Sequence, residues 1–203
     1  AQPLGTHIGN ALEVKDAIDV LAGRTQGDLL EISLLLGSHM LVLAEKVKTL
    51  PEARAMLENA LSSGAGLRKL AEMIAAQGGD PRVVEDLSLL PQAAVKRVMR
   101  AETAGYLSAM DTTALGMAAQ RMGAGRAKKS DMLDYSVGYV LHVRLGDEVT
   151  EDTLLATLYA RNEAEAEEAE KAIRKALTIA KEKPQTPKLW DAVVTAEGIT
   201  YNR

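Results

Sequence analysis

The sequence predicts a mixed α/β (α+β) chain in two parts: a helical segment over residues 1–90 and a small α+β module over residues 91–203. Three observations carry this. Through the first ninety residues apolar side chains recur at helical spacing and are punctuated by glycines. Past Leu90-Pro91 the pattern shifts to short runs rich in β-branched residues, with one long charged helix among them. The 203 residues are 47% hydrophobic, enough for one large domain or two small ones. With no Phe, one Trp and five Tyr, the cores must be built from Leu, Ala, Val, Ile and Met.

The first helix is expected over Ala11 to Leu21, with Gly23 ending it from the C′ position. Thr25 or Asp28 would cap a second helix running to about Val47. Its apolar residues (Leu29, Leu30, Ile32, Leu34, Leu35, Leu36, Met40, Leu41 and Leu43) cover most of its circumference, which predicts burial on most sides. Pro51 belongs in the first turn of a third helix, where its missing N–H costs little, and Ser63-Gly64 closes that helix. Leu67 to Gln77 makes a fourth, stopped by Gly78-Gly79. In the second part, Ala94 to Arg100 reads as an edge strand and Gly105 to Met110 as another. Asp111 or Thr112 would cap a helix from Thr113 to Met122. The Gly123–Arg126 link leads to a strand at Val137 to Val143, a turn at Leu145–Glu148 and a strand at Leu154 to Tyr159. An amphipathic helix follows over Asn162 to about Ala180, and Lys188 to Thr195 is a last strand. There is no internal repeat.

Composition excludes several classes. A net charge of −4 and a pI near 5.5 argue against nucleic-acid binding, which needs a clustered positive surface. The absence of cysteine removes disulfides, thiolate metal sites and cysteine nucleophiles, and suits a reducing cytoplasm. The longest apolar run, 32–44, falls short of the ~20 residues needed to span a bilayer. The opening Ala1–Asn10 is no signal peptide and reads as the middle of a longer protein.

Four features could carry chemistry. Gly123 to Lys129 combines glycines with Arg126, Lys128 and Lys129 in the manner of a phosphate cradle. No strand runs directly into it and no Gly-Lys-Ser/Thr follows, so a flexible basic connector is the expected reading. His7, His39 and His142 lack partners at i+3 or i+4 that would build a metal site, and each is expected to be a hydrogen-bonded structural histidine. The acidic run Glu163 to Glu170, with Lys171, Arg174 and Lys175 following, is expected to be a solvated helix face. Leu4-Gly5-Thr6-His7, before the first helix, is a turn that could aim backbone carbonyls at a cation, with Asp16 completing the site; a plain helix-entry turn is the alternative.

Gln2-Pro-Leu-Gly5, followed by Ile8-Gly-Asn-Ala-Leu-Glu-Val14, resembles the pyrimidine-nucleoside and thymidine phosphorylases. So do Ala75 to Val84, Gly105-Tyr106, Ala114 to Met117, Gly123 to Arg126, Ser136-Val-Gly138 and Leu145 to Val149 with Leu155-Ala-Thr157. These segments stand in the family's order and span almost the whole chain. The resemblance implies homodimeric pentosyltransferases that use inorganic phosphate to split a pyrimidine nucleoside into free base and (deoxy)ribose 1-phosphate. It makes residues 1–90 the closing part of the central α/β domain, and residues 91–203 the C-terminal α+β domain of barrel-sandwich or hammerhead type. The family's catalytic and substrate-binding groups fall in the N-terminal half, so none is carried over and this chain is expected to be inactive alone. The resemblance also implies a structural monovalent cation, usually potassium, held in part by the carbonyls of Leu4 and His7 and the carboxylate of Asp16. Relatives often have Ala where His7 stands and Glu where Asp16 stands. No organic cofactor, nucleic acid or membrane is expected. The turn at Leu145–Val149 also resembles biotinyl and lipoyl carrier domains, but no lysine lies between Lys129 and Lys171 to carry a group.

Overall fold

The structure, a computed structural model, describes residues 2–202. A two-residue strand, β1 (His7–Ile8), opens the chain. Four helices follow: α1 (Asn10–Leu21), α2 (Asp28–Leu43), α3 (Leu50–Ser62) and α4 (Ala65–Ala76). Two 3-10 turns, Pro81–Val84 and Leu87–Leu89, lead to β2 (Val95–Arg100), β3 (Gly105–Met110) and α5 (Thr112–Ala119). Then come β4 (Gly138–Leu141), β5 (Glu148–Val149), β6 (Leu154–Ala160), α6 (Glu163–Ala176) and β7 (Leu177–Ala180). A hairpin of β8 (Ala192–Thr195) and β9 (Gly198–Tyr201) ends it. The class is the mixed α/β that the sequence predicts.

Every sheet is antiparallel. One has the order β1-β4-β6-β2, a second β5-β3-β7, and the β8-β9 hairpin is a third. α5 and α6 pack with these sheets around the main core, where Leu107, Leu115, Tyr139, Leu141, Leu158 and Ile173 are buried. The Tyr139 hydroxyl donates to the Leu115 carbonyl at 2.7 Å, so its polar tip is satisfied inside the core. The helical part has two smaller clusters: Ile18 with Val83 and Val84, and Val20 with Leu30 and Leu34. β1 matters most for the site. It belongs to the N-terminal segment yet pairs with β4, stitching the helical part to the sheet.

Local chemistry explains most helix ends. After α1 the Arg24 N–H bonds the Asp19 carbonyl and the Gly23 N–H bonds the Val20 carbonyl, with Gly23 at φ 71°, a glycine-terminated cap. Thr49 and Glu52 form a reciprocal capping box on α3, with Pro51 in its first turn. Asp111 and Asn162 each accept a backbone N–H at the starts of α5 and α6.

Several expectations fail. α2 is not buried on most sides: only Leu30, Leu34 and Ser38 are, while Leu36, Met40 and Leu43 are 57%, 68% and 82% exposed. The helix also lacks a side-chain cap and ends at Leu43, where Glu45 adopts a left-handed φ of 54°. The charged helix stops at Ala176, because Leu177–Ala180 leaves it to pair with β3. The last strand begins at Ala192 and belongs to a hairpin.

Candidate functional site

The turn before α1 and the buried face of α1 converge on Asp16, which is only 4% exposed. Its Oδ1 lies 3.4 Å from His7 Nδ1, and the Thr6 hydroxyl oxygen is 3.0 Å from that same nitrogen. Gly5 covers the carboxylate so closely that a Cβ there would stand 2.6 Å from Asp16 Oδ2; glycine is needed for this approach. Leu4, Gly5, Asp16, Asp28 and Arg144 line one cavity of about 370 Å³. His7 lines the neighbouring cavity of about 470 Å³ with Lys15, His142 and Tyr159. Burial holds the His7 imidazole below its ordinary pKa, against the pull of Asp16 and Asp19 and with the help of Lys15.

The structure thus brings the three sequence-predicted residues to one place. Leu4 and Asp16 share a cavity, and the His7 ring rests on Asp16. A set of two carbonyls and one carboxylate is all oxygen, which suits a hard cation rather than a transition metal. Asp16 supports that fit, since among the described residues its carboxylate meets only the His7 ring at ion-pair distance, an imidazole that burial keeps from charging, and a buried carboxylate calls for positive charge. Three oxygens are too few for a complete shell, so further ligands would have to come from outside these residues. Among the described residues no group of three His, Cys, Asp or Glu side chains could hold a metal.

Beside this site Asp19 is 7% exposed. It takes a hydrogen bond from Lys15 and another from Arg24 Nε at 2.7 Å. Burial pushes its carboxyl up, but the two cations outweigh burial and hold it below the ordinary value. A depressed carboxylate contributes stability that is present above its unfolded pKa and lost as pH falls through the folded one. Asp19→Asn should therefore cost about 1–2 kcal/mol at neutral pH, discounted because both cations are half exposed. It should also flatten the loss of stability below about pH 4. Urea melts of both proteins at pH 7 and pH 3 measure this, and an unchanged acid limb in Asp19→Asn would count against it.

The other candidates settle into structural roles. In the Gly123–Lys129 loop Asp131 accepts the N–H groups of Ala127 and Lys128, and Asn10 donates to the Ala124 carbonyl at 2.9 Å. Amides that a phosphate would need are thus taken by a carboxylate. His142 Nε2 bonds the buried Thr157 hydroxyl at 2.9 Å. His39 departs from expectation, because its buried Nε2 has no hydrogen-bond partner among the described residues. The acidic run is a solvated face of α6: Glu167 and Glu168 pair with Lys171, and Glu170 with Arg97 and Arg174. Ala166, Ala169 and Ile173 face the core. Sequence reasoning missed Arg144, whose guanidinium donates to the Leu4 carbonyl at 3.3 Å. No spacing signal links residues 140 positions apart.

Comparison with known proteins converges on one family. Residues 106–180 match the model of the pyrimidine nucleoside phosphorylase C-terminal domain. The chain is 48% identical over 163 residues to the pyrimidine-nucleoside phosphorylase of Geobacillus stearothermophilus, covering 80% of this chain and 38% of the relative. The Bacillus subtilis (strain 168) pyrimidine-nucleoside phosphorylase gives the same figures. That of Staphylococcus aureus (strain USA300) is 43% identical over 179 residues, 88% of this chain and 41% of the relative. The chain therefore spans about two fifths of the length of these relatives. Residues 106–180 thus form a pyrimidine nucleoside phosphorylase C-terminal domain, and the similarity to these relatives runs on into the helical segment before it.

Proposed function

We propose that the chain is the C-terminal part of an enzyme that splits uridine- or thymidine-type nucleosides with inorganic phosphate, giving free base and (deoxy)ribose 1-phosphate. The observation that carries this is the identity of 43–48% to proteins named for that activity. The exposed Leu36, Met40 and Leu43 on α2 and Met56 on α3 support the view that more protein packs on the helical segment, since large apolar side chains left in water on neighbouring helices favour cover by a further surface. On this reading residues 1–90 close the central α/β domain, 91–203 form the C-terminal domain, and the whole enzyme is a cytoplasmic homodimer. Among the described residues no helix is long and apolar enough to cross a membrane.

Phosphorolysis breaks the bond between sugar and base, and the bond's electron pair leaves with the base. Positive charge builds on the sugar and negative charge on the base, so catalysis rests on placing phosphate against the sugar and cationic donors against the base. Those groups lie in the part of the enzyme beyond this chain, and the chain alone is inactive. Its own residues shape the turn behind the site: Leu4 and His7 would offer carbonyl oxygens and Asp16 its carboxylate to a potassium ion. When bound, the ion orders backbone and does not activate water. Phosphate-dependent release of uracil or thymine, with and without the N-terminal part of a relative, is the test.

A further inference from the structure

We propose that Arg144 is the positioning residue of the Pro3–Gly5 turn, seating it on the C-terminal module through a guanidinium fork. The cation belongs to the proposed function above; the clamp stands without it. Arg144 follows β4 closely and is 24% exposed at its side chain. Its Nη1 donates to the Pro3 carbonyl at 2.7 Å and, more weakly, to the Gly5 carbonyl at 3.4 Å. Nη2 donates to the Leu4 carbonyl at 3.3 Å and to Asp28 Oδ2 at 2.7 Å. Three successive carbonyls thus converge on one planar cation, and Asp28 at the start of α2 balances its charge. Only a guanidinium has the donors in a fixed plane to do this; an ammonium is a point charge.

Both sides of the contact are pinned. The Arg144 N–H bonds Asp147 Oδ2 at 2.7 Å. Next to it the Leu145 N–H donates to Gln2 Oε1 at 2.9 Å, and Gln2 Nε2 reaches Asp28 Oδ2 at 3.3 Å. β1 has only two residues, too short a ladder to fix the turn alone. The clamp adds the second point of attachment, so the placement of the Leu4 carbonyl depends on a residue of the C-terminal module.

Amide hydrogen exchange by NMR on the full chain tests this. The Leu141 N–H, bonded to the Thr6 carbonyl at 2.8 Å, and the Leu145 N–H report on the seated turn. Leu158, in the central strand β6, reports on global stability. Arg144→Met keeps the apolar stem and removes the donors. It should speed exchange at Leu141 and Leu145 by about 10-fold or more while leaving Leu158 within about 2-fold. Arg144→Lys restores charge without the fork and should recover part of that protection. Unchanged exchange at Leu141 and Leu145 in Arg144→Met would overturn the proposal, as would an equal acceleration at all three amides. Full recovery in Arg144→Lys would also overturn it, because a point charge rather than the guanidinium fork would then seat the turn.

Discussion

Gly138→Ala should destabilise the chain by about 3–5 kcal/mol, a large share of the roughly 5–15 kcal/mol that holds a domain together. Gly138 opens β4 at φ 148°, a region that favours glycine. A Cβ there would stand 2.1 Å from the Ile8 carbonyl oxygen and 2.9 Å from the Gly9 Cα. Gly9, at φ 135°, meets the same limit from the other side: its Cβ would lie 2.4 Å from the Val137 carbonyl oxygen. The two glycines cross where β1 ends and α1 begins, and the Ala11 N–H bonds the Tyr135 carbonyl at 3.0 Å beside them. All the neighbouring atoms except a Leu12 methyl are backbone, so the clash cannot be relieved by rotating a side chain. Urea unfolding measures the cost, and a loss below about 1 kcal/mol would mean that the seam yields more readily than this crossing implies.

Leu158→Ala should cost about 2–5 kcal/mol by leaving a cavity in the middle of the sheet. Leu158 is 0% exposed and lies in β6 opposite Arg97 on one side and Tyr139 on the other. Neighbours on both flanks leave little room to collapse into the space. By contrast Leu43→Ala, on the exposed end of α2, should change the stability of this chain by less than about 0.5 kcal/mol. Equal costs for the two substitutions in matched denaturation curves would contradict the placement of the core.

Local signals made much of this fold legible. Gly23, Pro51 and Asp111 act within a few residues of themselves, and each marks its helix end where the sequence places it. Gly105–Met110 emerges as a strand over the residues expected, because its apolar run is bounded by glycine and by a capping aspartate. Non-local choices were hidden. Leu177–Ala180 continues a helical run in composition, and only pairing with β3, some seventy positions earlier, turns it into a strand. The exposure of Leu36, Met40 and Leu43 reverses the reading of α2, since apolar character tells that a surface wants cover but not that this chain supplies it. At the candidate site the glycine turn and Asp16 were visible as residue types. The turn's carbonyls were expected from its residues and from the resemblance, which singled out Leu4 and His7, whereas Arg144, which no local pattern marks, reaches the Leu4 carbonyl only through the fold.

The proposed division of labour between this chain and the rest of a phosphorylase can be measured directly. Uracil release from uridine should be measured with this chain alone, with the N-terminal part of the Geobacillus stearothermophilus relative alone, and with the two mixed, each with and without inorganic phosphate. The account predicts silence from either part alone and phosphate-dependent release from the mixture. Release by this chain alone, or silence from a mixture shown by sedimentation to assemble, would contradict it.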